Sequence, residues 1–321
     1  VRGGVDVEGE YVLIIGGAAM DITGIPYGPL QMEDSNPGML QKSLGGVGRN
    51  IGENLVRLGV GVKVITALGD DDDGREIAVA GEKLGMDFSH TLVLPDESTA
   101  CYLAVLDEAR DMRVAIASMD IFRRLSADFL ASKAEVIRRA AVIVLDANLE
   151  PDTLAYMAQE FGDRPLFVDM VSANKCVRLR PLLGSFHTVK PNKLEAAQLS
   201  GLSIHEPGDL PKLTAWFVAR GVQRVFISLG SEGLYCGSRE GYQHVGAQVV
   251  PLISATGAGD ACMAGLVYGH LQGLSVADTA NFAQAMAALT LGVPTAIHPQ
   301  MSVTLVRDFL SGTRPLIGRE L

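Results

Sequence analysis

The 321-residue sequence predicts a doubly wound α/β fold: a mostly parallel sheet flanked by helices, with a small β element attached. Short runs of Val, Ile and Leu end on Gly, Asp or Ser without polar alternation, the pattern of strands buried on both faces. Helix-length amphipathic segments separate those runs, as parallel strands require. Two stretches break this rhythm, one rich in turn residues and one alternating like a hairpin.

In chain order, the strand runs are Val12–Gly16, Val62–Gly69, Val142–Asp146, Leu166–Asp169, Phe186–Val189 and Val225–Ser228. The first helix follows from Ile51, Leu55 and Leu58, which recur at helical spacing within Asn50–Leu58. Similar periodicity marks Gly74–Leu84, Ala127–Arg139, Pro151–Phe161, Asn192–Leu199, Leu210–Arg220 and Val276–Leu291. Ligands of such sheets bind beyond the carboxyl ends of the strands. The polar residues closing those strands, Asp146, Asn148, Asp169 and Ser228, are therefore expected to face the crevice. One domain is expected over 1–321, with a lid inserted from about 22–44 and 97–118. Asp21–Leu44 carries Gly24, Pro26, Gly28, Pro29, Pro37 and Gly38, and Thr99–Ile116 alternates like a hairpin turning at Asp107–Asp111. A pair of surface hairpins satisfies the same pattern.

Composition narrows the function. Hydrophobic residues make up 48% and charged residues 20%, which describes a globular chain and not a disordered one. The formal net charge of -10 argues against a nucleic-acid surface. Cys101, Cys176, Cys236 and Cys262 lie far apart without a CxxC pair, so they read as reduced cytoplasmic thiols. His187, His205, His244, His270 and His298 lack metal-ligand spacing. No apolar run is long enough for a membrane span, and the opening VRGGVDVEGE reads as a loose leader.

The chemistry concentrates in Ile253 to Gly265, ISATGAGDACMAG. Two glycines and an alanine let backbone N–H groups of Gly257, Ala258 and Gly259 converge on an anion at a helix N-terminus. A carboxylate there, Asp260, makes sense where a hydroxyl loses its proton beside a cradled phosphoryl group. The helix dipole is expected to keep it ionised. Gly45-Gly46-Val47-Gly48-Arg49-Asn50 precedes a helix; it reads as a structural turn or, through Asn50, as a polyol contact. Asp21, after the first strand, could bind sugar hydroxyls. In Lys190-Pro191-Asn192-Lys193-Leu194-Glu195, a capping box accounts for Asn192 and Glu195, and contact with metal-bound phosphate accounts for them equally. Ser228–Gly233 fits a nucleotide loop or a turn between strands. Neither glycine loop has GxGxxG spacing, which argues against a nicotinamide-dependent oxidoreductase. A non-catalytic sugar or nucleotide sensor is disfavoured by the presence of Asp260.

Taken together, GGVGRN and ATGAGD, in the order Asp21, GG, KPNKLE, SLGSEG and GAGD, resemble the ribokinase (PfkB-like) family of carbohydrate and nucleoside kinases along nearly the whole chain. The DSNPG preceding GGVGRNI, then VDMVSANKC and HTVKPN, resemble the pseudouridine-phosphorylating subgroup. The resemblance implies a ribokinase-like fold with a β lid, ATP and Mg²⁺, and a nucleoside or sugar acceptor, and exposed edges of the lid strands favour a homodimer. Ribose and adenosine remain alternatives to pseudouridine. It makes Asp260 the general base and the Gly257–Gly259 backbone the anion hole. Asp21, Gly45, Gly46 and Asn50 match acceptor-binding positions, with Asn148, Asp169, Ser172 and Lys175 as further contacts. Asn192, Ser228, Gly230, Gly233, Thr256 and Gln284 match nucleotide positions, and Glu195 with Asn192 the Mg²⁺-phosphate motif. Many relatives carry Asp two residues before the Thr256 position; Ser254 stands here, a weaker hard-cation ligand. Activation by a monovalent cation such as K⁺ is accordingly in question.

Overall fold

The computed structural model describes residues 10–204 and 206–312. Nine residues of the expected leader, and His205, lie outside the described residues. Strands β1 (Val12–Ile15), β2 (Ala19–Pro26), β3 (Gly38–Gly45), β4 (Val62–Ile65), β5 (Ala67–Gly69), β6 (Met86–Asp87), β7 (Leu92–Leu94), β8 (Cys101–Leu106) and β9 (Met112–Ser118) form the first half. The second half adds β10 (Val142–Asp146), β11 (Leu166–Asp169), β12 (Thr188–Val189), β13 (Arg224–Ser228), β14 (Leu234–Ser238) and β15 (Gly241–Val245). The main sheet runs β15-β14-β13-β12-β11-β10-β1-β4-β6 and is parallel except where β14 pairs with β13 and β15. The order reverses beside β1, whose neighbours are β10 and β4, so a crevice opens at its carboxyl end.

Alternation within the buried strands assigns the two cores. Leu13, Ile15, Ile143 and Leu145 face one side; Val12, Ile14, Val142 and Val144 face the other. Helices α1 (Val47–Arg57) and α2 (Asp72–Leu84) cover the second side, while α3 (Ala127–Ala131), α4 (Ala134–Arg138) and α5 (Pro151–Glu160) cover the first. The short α6 (Ala173–Cys176), α7 (Lys193–Ser200) and α8 (Leu210–Val218) continue on the first side. Three C-terminal helices, α9 (Ala258–Leu271), α10 (Val276–Leu291) and α11 (Val303–Leu310), complete the second. The small residues of α9 have a packing reason. A Cβ on Gly265 would stand 2.5 Å from Ala283 Cα, and one on Gly269 would meet Thr279 at 2.7 Å. Helices α9 and α10 therefore cross closely enough that no larger side chain fits between them.

Three local expectations change. The run 62–69 divides at buried Thr66 into β4, in the main sheet, and β5, which pairs with β7. The single helix expected over 127–139 divides into α3 and α4, because Ser132 Oγ bonds back to Phe129 O and ends the first. The irregular stretches form one four-stranded sheet, β3-β2-β8-β9, joined by a parallel β2–β8 pair between two antiparallel ones. It is thus a mixed sheet and not two separate hairpins.

Candidate active site

Carboxyl ends of the central strands bring the candidate residues to one crevice. After β1, Gly17 donates its N–H to Asp146 Oδ2 at 2.7 Å, and Asn148 donates to Asp146 Oδ1 at 2.9 Å. A Cβ on Gly16 would lie 2.3 Å from Asp146 Oδ2, so the β1 turn closes only around glycine. Asp146 is therefore turned inward and fully buried, not presented to the crevice as its strand-end position suggested. Burial raises its pKa to about 6, against the pull of those two N–H groups.

Asp169, closing β11, accepts Val171 N–H at 2.9 Å through Oδ1, and its Oδ2 lies 3.2 Å from Lys190 Nζ. Val171 has φ 61° with Ser172 N–H bonded to Met170 O at 2.6 Å, a tight turn that a β-branched residue rarely adopts. Such strain costs on the order of 1–3 kcal/mol. It directs the chain sharply from Asp169 into α6, capped by Ser172. Lys175 Nζ from α6 then donates to Asn148 Oδ1 at 2.6 Å. Burial lowers the Lys175 pKa, which nearby Asp146 partly restores. Asn148, Ser172 and Lys175 thus form one polar wall.

The glycine pair after β3 is shaped by close approach. A Cβ on Gly45 would lie 2.2 Å from Asp21 Oδ2, and one on Gly46, at φ 94°, 2.6 Å from Gly17 O. Helix α1 starts at Val47 with no side-chain cap, earlier than its periodicity suggested. Its Asn50 donates from Nδ2 to Asp260 Oδ2 at 2.9 Å. Asp21, half-buried on β2, has its pKa raised to about 6 by burial, against the field of Arg49.

Asp260 sits in the first turn of α9, whose N-cap is Gly257 at φ 80° and lacks a side-chain cap. The leading N–H groups of the helix are thus without side-chain acceptors, the arrangement an anion needs. A Cβ on Gly257 would stand 1.8 Å from Ala296 O, so the 292–298 loop is packed directly against the cradle. The surroundings of half-buried Asp260 work against the ionisation that the helix dipole favours. Burial, aided by Asp169 and Asp146, raises its pKa to about 7, and Asn50 and Lys190 only partly oppose this.

Beside the cradle lies a cavity of about 590 Å³. Asn192, Ser228, Gly230, Gly233, Ala258, Gly259 and Gln284 line it together with apolar residues of α10. Thr256 is exposed and not among its lining residues. Asn192 and Glu195 make the full capping box of α7, each accepting the other's N–H at 2.8 Å. Burial raises the Glu195 pKa. Ser254 Oγ accepts the Thr256 N–H at 3.2 Å. Among the described residues, no cluster of three or more His, Cys, Asp or Glu could cage a metal. That donor set suits Mg²⁺ carried mainly by phosphates and water, not a dedicated protein cage.

Lys190 is the group that sequence reasoning passed over. It lines the cavity, is buried, and carries the cationic end of the strand-closing KPN. A lysine immediately after a buried strand, among the polar strand-end residues Asp146, Asn148, Asp169 and Ser228, was the available signal.

Fold and site together define an α/β kinase, a phosphotransferase acting on a hydroxyl group. Residues 10–302 match the model of the pfkB family carbohydrate kinases, and the chain belongs to that family. Pseudouridine kinase of Escherichia coli (strain K12) is 38% identical over 300 residues, which are 93% of this chain and 96% of that protein. A carbohydrate kinase from Agrobacterium tumefaciens superposes with a TM-score of 0.84 at 25% identity, covering 94% of this chain and 97% of that one. Arabidopsis thaliana ribokinase, solved with ribose and ATP, has a TM-score of 0.82 at 22% identity, with coverage of 94% and 98%. That likeness establishes the shared fold. No helix among the described residues is long and apolar enough to cross a membrane.

Proposed function

We propose that the protein transfers the γ-phosphoryl group of ATP to the ribose 5′-hydroxyl of pseudouridine. The observation that carries the reading is Asp260, held by Asn50 at 2.9 Å on the first turn of a helix whose N-terminus lacks a side-chain cap. The 38% identity to a pseudouridine kinase along nearly the full chain supports that acceptor.

In this reading the 5′-hydroxyl proton passes to Asp260 as the oxygen bonds phosphorus, and the bond to the bridging oxygen of ADP breaks. Charge spreads over the peripheral phosphoryl oxygens, so fixed N–H dipoles and cations do most of the catalysis. The backbone of Gly257, Ala258 and Gly259 faces that charge, and Lys190 adds a buried ammonium beside it. Asp21, Gly45, Gly46 and Asn50 hold the ribose. Asn148, Ser172 and Lys175 contact the acceptor, while Asp169 acts through Lys190. The nucleotide occupies the 590 Å³ cavity between Ser228, Gly230, Gly233 and Gln284, with Asn192 toward the phosphates. Asn192 and Glu195 would hold the water shell of a Mg²⁺ ion bound with the nucleotide, which would supply neutralisation of phosphate charge. The Ser254 hydroxyl already bonds the Thr256 N–H, which weakens the case for a monovalent cation there.

The chain forms a single kinase domain in this reading, and the four-stranded sheet acts as its lid. A closing lid excludes water and suppresses hydrolysis of ATP. Both edges of that sheet expose apolar residues, Leu40 on β3 and Met112, Val114 and Ile116 on β9, which favours a homodimer. Sedimentation velocity reads that directly, and a monomer at micromolar concentration would exclude it.

The acceptor is tested by offering ribose, uridine, pseudouridine and adenosine with ATP and Mg²⁺, with ADP release as the readout. Preference for pseudouridine is expected. Turnover of ribose or adenosine without pseudouridine would reassign the substrate.

A further inference from the structure

The hydrogen-bond partner of Asp260 is itself held from behind. Asn50 Nδ2 donates to Asp260 Oδ2 at 2.9 Å, and Arg49 Nη1 donates to Asn50 Oδ1 at 3.1 Å. We propose that Arg49 is a positioning residue: it fixes the rotation of the Asn50 carboxamide so that the NH₂ end always faces Asp260. The inference rests on the reading of Asp260 as the base.

The argument is one of donors and acceptors. A guanidinium has only donors, and an ionised carboxylate only acceptors. An amide between them satisfies both in one orientation. Turned over, it would set Nδ2 against Arg49 and Oδ1 against Asp260, losing both bonds. Arg49 cannot follow such a turn, because its guanidinium is fixed on other sides. It is 4% exposed, reaches Leu44 O at 3.4 Å and pairs with Glu53 one turn along α1. The other Glu53 oxygen receives Arg57 Nε at 2.9 Å and Nη2 at 2.6 Å, and Arg57 Nη1 reaches Pro299 O at 2.6 Å. The chain of contacts thus runs from Asp260 to Pro299, next to the 292–298 loop that packs on Gly257.

Stability alone is a poor reason for this arrangement. Arg49 Nε has no partner, and a buried ion pair is often no more stabilising than apolar residues of the same volume. A fixed amide beside the base gives the arrangement a role. The groups facing Asp260 are Asp146 and Asp169 from β10 and β11, Lys190 after β12, and Asn50 from α1; Asp21 on β2 faces Arg49. With the carboxylates opposing ionisation, a dependable donor from Asn50 helps keep the base deprotonated. Its second Nδ2 hydrogen stays available to the acceptor.

The test is the pH dependence of kcat for Arg49→Met and Arg49→Lys, with a carbon-13 NMR titration of the Asp260 carboxyl. Losing a dependable donor moves the acidic limb of Arg49→Met up by about one pH unit. Near pH 7 that is a loss of about fivefold, recovered at high pH, with KM for ATP unchanged. Arg49→Lys, with a single ammonium nitrogen in place of the fixed guanidinium fork, falls between. In an Asn50→Leu background, Arg49→Met adds no further shift, because the effect runs through the amide. An unmoved limb and titration, or an equal further shift in that background, overturns the inference. If Arg49→Met is too unstable to assay, Arg49→Lys and the Asn50→Leu background decide the matter alone. A full rate in Asp260→Asn would instead remove the reading of the base, so the two failures are distinguishable.

Discussion

Lys190 Nζ lies 3.2 Å from Asp169 Oδ2, with both side chains less than a tenth exposed. Burial works against the ammonium, yet Asp169, with smaller help from Cys262, Glu195 and Asp260, holds its pKa above the ordinary lysine value. The pair joins the ends of β11 and β12 and brings one fixed cation beside the α9 N-terminus. Breaking a buried pair by removing one partner costs about 3–5 kcal/mol, because the other charge is left uncompensated. Lys190→Met should lower the urea midpoint accordingly and reduce turnover. The double variant Asp169→Leu, Lys190→Met should regain most of the stability and none of the activity. Recovery of turnover in the double variant would show that the cation serves only its partner.

Asp260→Asn should lower kcat by about 10²–10⁴-fold, the usual contribution of a positioned base, with ATP affinity little changed. In the intact enzyme the base must be ionised, and its pKa is raised to about 7. The rate should therefore fall as pH drops through neutrality. A near-normal rate in Asp260→Asn, read by ADP release, would sink the assignment.

The same carboxyls shape stability. Folded pKa values are raised from 3.8 to about 7 for Asp260 and to about 6 for Asp146 and Asp21. Between about pH 4 and 7 the folded chain holds more protons than the unfolded chain, so stability falls as pH rises through that window. Asp87, depressed to about 2, acts the other way: its contribution is lost only as pH falls toward that value. Each tenfold change in proton affinity is about 1.4 kcal/mol, so buried Asp146 alone accounts for roughly 3 kcal/mol across the window. Half-buried His187, lowered to about 4, and His270, also lowered by burial, oppose this slope below about pH 6.5, so urea unfolding should show stability falling most clearly between about pH 6.5 and 7.5. The opposite slope would mean that these carboxyls fold ionised.

Gly257→Ala tests the cradle. Its φ of 80° and the 1.8 Å approach to Ala296 O leave no place for a methyl group without moving the 292–298 loop. Overpacking of this kind costs about 1–3 kcal/mol, and the displaced N–H groups should lower kcat more than they change acceptor affinity. Calorimetric acceptor binding at wild-type strength with reduced kcat is the expected result. Unchanged kcat would take the anion hole elsewhere.

Much of this was legible in the sequence because the signals are local. Val142–Asp146 and Leu166–Asp169 are buried on both faces, and their apolar runs mark the strands to the residue. Asn192 and Glu195 formed the capping box that their spacing allowed. What escaped depends on contacts between distant segments. The burial of Asp146 follows from Gly17, 129 residues away, and the raised pKa of Asp260 from strand ends that only the fold assembles. Beyond the turn between strands that Ser228–Gly233 allowed, hairpin β14–β15 went unread because both of its strands carry glycine and alternate weakly. The β2–β8 pairing that unites the small sheet carries no sequence-local mark at all.

The cavity beside the cradle makes its own prediction. Ala287, half-buried on α10, and Gln284 one turn earlier both line it. Ala287→Phe would project a ring into the apolar end while leaving the strand ends untouched. If the nucleotide base rests there, the clash should cost on the order of 1–3 kcal/mol of ATP binding, an increase in KM of roughly 5- to 150-fold. Acceptor affinity, measured by calorimetry without nucleotide, should stay as it was, because Asp21, Asn50 and Lys175 lie outside the cavity lining. The unfolding midpoint serves as the control, since α10 packs tightly on α9 and a misplaced ring would lower it. An unchanged KM for ATP in a variant of normal stability would mean that the nucleotide binds away from α10. Weakened acceptor binding with normal ATP binding would mean that the two substrates occupy the reverse positions.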